Sequence, residues 1–417
     1  MWSPKKCCRS CRKRWAACSN CTSKVRSACG NRSATRGSKS FLSVPAPSCV
    51  PANASPTATL LCWRASLSRF INEHKECTMQ RFFLTLLRGF SLMALLTSAA
   101  ATAADKVDLI IDTDPGADDF VALLLALASP EQINVRALTT VAGNVRLDKT
   151  SRNARLAREW AGREDVPVYA GAPKPLVREP IYAADVHGEE GVPGIVVQEP
   201  AKGLAQGGAV QYLIDTLTHA EPHSITLAML GPQTNLALAL IQAPEITQGI
   251  KEVIVMGGAH FNGGNITPVA EFNLFADPHA AQVVLSSGVK LTYVPLDVTH
   301  KILTSPARLQ QLAALDNKAG PRVVDILQAY VKADMEHYGL PGGPVHDASV
   351  IAYLLAPEMF SGRDVNLTID SREGPTFGQT VADWCGTLKR PANVFWVNEG
   401  NAQGFFDLLT QRLQRLP

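Results

Sequence analysis

The chain has 417 residues and a formal net charge of +3, a figure that hides two unlike parts. Residues 1–78 carry 14 Lys/Arg against 2 Glu and nine of the ten cysteines, whereas residues 105–417 hold 24 Lys/Arg against 35 Asp/Glu and only Cys385. The acidic main body argues against nucleic-acid binding as its task, and a single cysteine excludes an internal disulfide or a cysteine-based zinc site there.

Residues 1–78 show neither a helical nor a strand period. Cys7, Cys8 and Cys11, followed by Cys18-x-x-Cys21, suggest half a zinc knuckle, but no second Cys-x-x-Cys or His pair completes it. Val44-Pro-Ala-Pro47 and Pro51-Ala-Asn-Ala-Ser-Pro56 have the composition of disordered chain. The segment reads as no functional domain, and as upstream sequence translated from a start set too early. From Met79 the pattern changes: Arg81, an apolar stretch from Phe82 to Leu96 broken by Arg88, then small residues around Ala101-Thr-Ala103. That is the layout of a secretory signal peptide over 79–104, too short and interrupted to span a bilayer. The expected product is exported, most simply to a bacterial periplasm, with no membrane attachment after cleavage and a mature N-terminus within a few residues of Asp105. N-terminal sequencing checks this, and retention of residues 1–78 would overturn it.

Residues 105–417 are long enough for one large domain with a substantial core. Apolar runs of strand length lie at Val107–Ile111, Val135–Thr140, Pro167–Tyr169, Ile225–Leu230, Glu252–Met256 and Leu291–Pro295. Helical patterns fall between and after them, at Phe120–Ala128, Ser151–Ala161, Ala209–Ala220, Asn235–Gln242, Pro278–Ser287, Pro306–Ala314 and Val323–His337. Such alternation predicts an α/β fold: a single domain with a mostly parallel open sheet, helices on both faces, and ligands at the carboxyl edge of the strands. Cys385, with no motif around it, is expected to be a buried, inert thiol.

The densest chemistry is Asp112-Thr-Asp-Pro-Gly-Ala-Asp-Asp119, directly after the first strand and before the first helix. Helix capping would use only one or two of the four carboxylates in these eight residues. Crowded carboxylates repel unless a cation or shared proton offsets them, and oxygen-rich clusters suit a hard divalent ion. An EF-hand is excluded, because Leu123 stands where that loop needs a bidentate Glu. Polar or Gly-rich turns recur after later strands: Val141-Ala-Gly-Asn144, Leu230-Gly-Pro-Gln-Thr-Asn235, Met256-Gly-Gly-Ala259 and Asp297-Val-Thr-His300. Singly each is an ordinary turn; together, at one sheet edge, they suggest a composite site.

The segment from Gly264 to Asn273 packs Asn265, Glu271 and Asn273 into nine residues, and amides beside an acid are apt partners for sugar hydroxyls. Helix capping before Pro278 explains the nearby Asp277 but leaves Asn265 and Glu271 unexplained. Finally, His346-Asp347 follows Gly342-Gly-Pro-Val345 and precedes an apolar helix. An Asp there either caps the helix or, with its neighbour, supplies a metal carboxylate and a proton donor.

Together these residues resemble the inosine-uridine-preferring nucleoside hydrolase family, from Val107 to the Gly374–Asp383 segment. The Asp-Thr-Asp-Pro-Gly-x-Asp-Asp opening, the Asn-Ile-Thr-Pro-Val-Ala-Glu-Phe-Asn block and the late His-Asp carry the likeness. The resemblance implies a Rossmann-like hydrolase fold, one Ca²⁺, a nucleoside as substrate and a homodimer or homotetramer. It implies Asp114, Asp119, Asp347 and the main-chain carbonyl of Leu230 as metal ligands; the family usually has Thr at the Leu230 position, a change a carbonyl ligand tolerates. Asp118, Asn144 and Asn273 would hold the ribose 2′- and 3′-hydroxyls, Asn265 and Glu271 the 5′-hydroxyl, and Met256 would join the substrate-binding set. Asp112 would support the acidic loop from behind. A calcium-bound water would attack C1′ with Asp114 as base and His346 as acid toward the leaving nucleobase, against an oxocarbenium-like transition state. His187, in His187-Gly-Glu-Glu-Gly191, and Tyr338, eight residues before His346, would face the base; both histidines together suggest inosine/uridine or pyrimidine preference.

Two other classes compete. An aspartyl phosphohydrolase or phosphotransferase starts from an Asp-x-Asp loop but expects Gly-Thr next and a site lysine, and neither is present. A periplasmic nucleoside-binding protein would need no base and acid such as Asp114 and His346. Release of ribose from uridine separates that binder from an enzyme.

Overall fold

The computed structural model describes residues 106–417, so the expectations for the 1–78 segment and the 79–104 signal peptide lie outside the described residues. The chain alternates strand and helix through β1 (Val107–Thr113), α1 (Ala117–Leu127), β2 (Ile133–Thr140), α2 (Leu147–Trp160) and β3 (Val168–Ala170). A single turn α3 (Ala184–His187) and α4 (Ala209–Thr218) lead to β4 (Ile225–Met229), α5 (Thr234–Gln242) and β5 (Ile250–Met256). Then come α6 (Phe272–Ala276), α7 (Pro278–Leu285), β6 (Leu291–Val294), α8 (Leu296–Thr299), α9 (Pro306–Ala313), α10 (Ala319–Tyr338) and α11 (His346–Leu355). The chain ends with β7 (Phe360–Val365), β8 (Leu367–Ile369), β9 (Thr380–Ala382), β10 (Val394–Gly400) and α12 (Ala402–Leu413).

The eight-stranded sheet runs β3-β2-β1-β4-β5-β6-β10-β7, and β8 and β9 form a separate two-stranded ribbon. All neighbours in the large sheet are parallel except β7, which closes the edge antiparallel to β10. Strand β1 is central because its apolar run serves both faces. Leu109 and Ile111 enter one core with helices α1, α2, α10, α11 and α12, while Ile110 enters the other beneath α4 and α5. A strand buried on both sides reads as a continuous apolar run rather than an alternating one.

This order decides where the site lies. The chain builds outward from β1 through β2 to β3, then crosses back to place β4 on the other side of β1. The loops after β1 and β4 therefore diverge, and the crevice between them is the switch point where such sheets bind ligands. All six strands and seven helices expected from the pattern are present, with ends moved by one to four residues. The thiol expectation fails: Cys385 lies exposed, because it falls in the surface turn after β9 and not in an element packed against either core.

Candidate active site

The acidic loop sits where β1 ends and α1 begins. Asp112 is the last strand residue but one, and its Oδ2 accepts from Thr139 Oγ1 on β2 (2.6 Å) and Asn235 Nδ2 on α5 (2.8 Å). It is a brace, tying three neighbouring elements behind the loop. Burial pushes its carboxyl up to about 7 against the pull of those two hydrogen bonds. The following Pro115-Gly116 turn is held from outside by Asn153 Nδ2, which donates to Pro115 O (3.0 Å). Gly116 is required there, since a Cβ would stand 2.5 Å from His187 Nδ1 and 2.7 Å from Asn144 Nδ2.

Asp119 does the capping. Its Oδ2 accepts from Gly116 N (3.0 Å) and from Asn144 Nδ2 (2.9 Å), and its Oδ1 from Thr113 Oγ1 (2.5 Å). Asp118, beside it in the first turn of α1, reaches across to the other helix that points here: its Oδ2 accepts from Asp347 N (3.4 Å) at the start of α11. Helices α1 and α11 pack together, so two positive helix N-termini converge on the carboxylates they carry. Oxygens of Asp118, Asp119 and Asp347 all lie within 4.8 Å of one another.

Asp114 lies fully buried beside this trio. Its Oδ2 accepts from Asn144 N (2.7 Å), and its Oδ1 has no hydrogen-bond partner among the described residues. Gly143 and Gly231 press against it on two sides, where any Cβ would come within 2.0 and 2.3 Å of its carboxylate oxygens. Burial raises its carboxyl well above the usual range, and the charges of Asp119 and Asp118 add to the rise. Asp347 is driven up in the same way, by burial and then by Asp118 and Asp119. Buried like charges that converge without a counter-charge are the arrangement a bound cation would relieve. The donor set is all oxygen, which fits a hard ion such as Ca²⁺ and not a thiolate or imidazole metal. The converging trio differs from the ligand set implied by the resemblance in holding Asp118, with Asp114 alongside.

Above the carboxylates opens a cleft of about 220 Å³. Of the residues expected there, Asp118, Asn144, His187, Leu230, Met256, Asn265, Glu271, Asn273, His346 and Asp347 line it. Asp112, Asp114 and Asp119 lie beneath its floor. Asn273 Nδ2 donates to the Leu230 carbonyl (2.7 Å), joining α6 to the loop after β4. Glu271 and Asn265 also have local duties that the sequence pattern did not show. Glu271 caps α6 by accepting from Asn273 N (2.8 Å) and Leu274 N (3.1 Å), and it receives Gly258 N (3.1 Å). Burial pushes it up to about 7 despite those bonds. Asn265 Oδ1 accepts from Phe272 N (2.8 Å). Asp277 caps α7 as expected, through Ala280 N (3.0 Å).

Two histidines border the cleft. His187 Nδ1 accepts from Ala117 N (3.1 Å), which docks α3 onto the start of α1. Burial pushes it down to about 4. His346 Nδ1 bonds Thr299 Oγ1 at 2.7 Å, and burial, then the His300 and His187 rings, hold it well below the ordinary histidine range. Tyr338 closes α10, and its side chain lies outside the described residues. An aromatic of the same helix that does reach the cleft is Tyr330, two turns earlier, stacked on His187 with centroids 5.3 Å apart and an interplanar angle of 24°.

Residues 109–407 match the family described as inosine-uridine preferring nucleoside hydrolase. The chain belongs to that family. It is 41% identical over 290 residues to the pyrimidine-specific ribonucleoside hydrolase RihB of Escherichia coli, covering 70% of this chain and 91% of that one. An uncharacterized protein of Schizosaccharomyces pombe is 47% identical over 309 residues, 74% of this chain and 99% of its own. Among solved structures, a purine-preferring ribonucleoside hydrolase from Gardnerella vaginalis superposes with a TM-score of 0.68 at 29% identity, covering 74% of this chain and 98% of that one. A plant nucleoside hydrolase gives 0.69 at 31%, covering 74% and 99%. Membership in the nucleoside hydrolase family makes the chain an enzyme of glycosidic-bond hydrolysis.

Sequence reasoning missed several residues around this hydrolase site. Tyr330, Asp185 and Phe272 line the cleft, Thr299 holds His346, and Asn153 holds the turn. Of these, Thr299 lay within the Asp297-Val-Thr-His300 motif singled out beforehand and Phe272 within the Asn265–Asn273 block. Asn153 and Tyr330 stand in helical runs where an amide or aromatic looks like ordinary filler, and Asp185 lies in a single turn too short to show a pattern.

Proposed function

We propose that the protein is a calcium-dependent nucleoside N-ribohydrolase, releasing ribose and a free base, with uridine, cytidine or inosine favoured over adenosine. The observation that carries this reading is the Oδ1 of buried Asp114, without a hydrogen-bond partner among the described residues, set beside the converging Asp118, Asp119 and Asp347 at and beneath the floor of a nucleoside-sized cleft. An exported, periplasmic location and a homo-oligomeric state belong to the same reading.

Asp114, Asp119, Asp347 and the Leu230 carbonyl would hold the ion, with Asp118 close enough to share it. When bound, Ca²⁺ supplies positive charge that neutralises the carboxylates, binds the ribose diol and modestly acidifies a water. The chain's own groups do the rest. Asp118, Asn144 and Asn273 orient the 2′- and 3′-hydroxyls, and Asn265 and Glu271 the 5′-hydroxyl, so C1′ is held above Asp114. Asp114 Oδ1, free of any hydrogen bond, accepts the proton of the attacking water. The surrounding carboxylates stabilise positive charge on the ribose as the C1′–N bond lengthens. His346 is neutral in the free protein. It therefore stabilises charge on the leaving base through a ring N–H hydrogen bond, and passes a proton only after the ring has taken one up. Thr299 keeps that ring in place.

The test is ribose release from uridine, cytidine, inosine and adenosine by the protein with calcium. Higher kcat/KM for the first three than for adenosine is expected. A strong adenosine preference would overturn the base assignment, and no ribose from any nucleoside would overturn the hydrolase reading in favour of a nucleoside-binding protein.

A further inference from the structure

The loop from Gly257 to Ala270 carries Asn265 and Ile266 to the cleft, yet its tip is bonded mainly to itself. Gly264 N donates to Pro268 O (3.2 Å) and Asn265 N to Ala270 O (3.1 Å), so the tip is a small closed unit. Its position over the sheet is set by what grips its two ends. At the far end Glu271 receives Gly258 N, and Phe272 N bonds Asn265 Oδ1. At the near end the grip belongs to Asp297, in the first turn of α8.

Asp297 is buried, and one of its oxygens, Oδ1, accepts three consecutive backbone N–H groups: His260 (3.1 Å), Phe261 (2.8 Å) and Asn262 (2.9 Å). Its Oδ2 accepts the indole N–H of Trp396 (2.9 Å), a fully buried side chain of β10. None of these bonds caps α8 itself. A buried carboxylate costs several kcal/mol unless its charge is met by hydrogen bonds. All four donors that meet it here join the loop to the sheet. Asn262 Nδ2 adds a bond to Leu296 O (3.1 Å), and Thr380 Oγ1 both accepts from Ala259 N (2.9 Å) and donates to Ala259 O (2.6 Å).

We propose that Asp297 is a positioning residue for ribose recognition. Its carboxylate fixes residues 260–262 to the sheet, so that Asn265, three residues on, stands at the 5′-hydroxyl of the substrate. The proposal rests on the nucleoside hydrolase reading above and assigns a function to the Asp297-Val-Thr-His300 turn. Three N–H groups on one oxygen define a direction as well as a distance, because shifting any one lengthens the others. Loss of that reference displaces Asn265 by a fraction of an ångström to an ångström, enough to weaken a single hydroxyl contact while leaving the floor of the site untouched.

The experiment compares uridine with 5′-deoxyuridine in the unsubstituted protein and in Asp297→Asn, with calcium, together with thermal unfolding. For uridine, kcat/KM is expected to fall roughly tenfold or more in Asp297→Asn, and for 5′-deoxyuridine less than about twofold, since that substrate has no hydroxyl to lose. A merely structural role would lower both by the same factor, and equal losses overturn the proposal. Should Asp297→Asn not fold, Thr380→Val cuts the adjoining tether with little change of shape and is expected to give the same selective loss. Equal losses there also overturn it. No uracil from either compound with the unsubstituted protein overturns the hydrolase reading and, with it, this proposal.

Discussion

Asp114→Ala is expected to lower kcat by about a thousandfold or more while the protein stays folded and, without calcium, melts no lower than the unsubstituted chain. The two halves of that expectation have one cause. Asp114 is fully buried, has one oxygen with no partner, and is driven up by burial and by the charges of Asp119 and Asp118. In the metal-free protein ionising it is costly, so deleting it removes that cost even as it removes the proposed base. Catalytic groups held at the expense of stability show this trade-off. Steady-state ribose release and calorimetry on the same preparations measure both. Retained activity would remove Asp114 from the chemistry, and a collapse of folding would make it a structural residue.

Chelation is expected to have the second large effect: loss of activity, recoverable with calcium, and a fall in melting temperature that grows with pH. The sign follows from the carboxyls. In the metal-free fold Asp112 is pushed up to about 7, and Asp114, Asp119 and Asp347 are also raised, chiefly by burial. A carboxyl with a folded pKa above its unfolded value of 3.8 contributes stability that is fully present below that value. The contribution is lost as pH rises through the folded pKa. Between about pH 4 and 7 the chelated protein should therefore become steadily less stable. Calcium reverses this by binding the folded, ionised form alone. At a thousandfold excess over Kd that is worth about 4 kcal/mol, on the order of 8 °C in a domain of this size. Melting curves at several pH values, with chelator and with calcium, test it; curves that do not separate as pH rises would argue against a cation among these carboxylates.

The fold was legible where apolar runs did one job. Strands β1 to β6 are largely buried and flanked by turns, so their apolar runs and length identify them. Strand β7 was missed because it is an antiparallel edge strand: Phe360 and Val365 are buried, but most residues between them face outward, leaving little pattern. Strand β10 was missed although Val394, Trp396 and Val397 are buried, since the polar Lys389-Arg-Pro-Ala-Asn393 approach to it reads as loop. Helices α3, α6 and α8 have four or five residues, shorter than a helical period needs to declare itself. Helix α12 was open to detection: Asn401 caps it through Gly404 N, and Phe405, Leu409 and Leu413 recur four apart on one side.

For the site, legibility followed chemical density. Four aspartates in eight residues have few structural explanations, so the acidic loop stood out. Glu271 and Asn265 did not reveal that they also hold backbone N–H groups, because capping depends on where the helix starts. Tyr330 and Thr299 gain their places only when α10 and α8 are brought to the cleft by the fold, and no local spacing encodes that meeting.

The seat of His187 on the first turn of α1 carries a consequence for the nucleobase. Its Nδ1 is an acceptor, committed to the Ala117 N–H, and burial keeps the ring neutral by pushing it down to about 4. A neutral imidazole has one proton, which must then sit on Nε2. The ring is thereby a fixed donor with no acceptor to show. A base that turns a carbonyl oxygen toward it, as uracil, hypoxanthine and cytosine (through O2) can, gains a hydrogen bond. A base that turns an exocyclic amino group toward it meets two donors face to face, and swivelling the ring to offer a lone pair would unseat the turn that holds the acidic loop. Under the proposed function, discrimination between keto and amino faces would in this way be coupled to the backbone that builds the acidic loop.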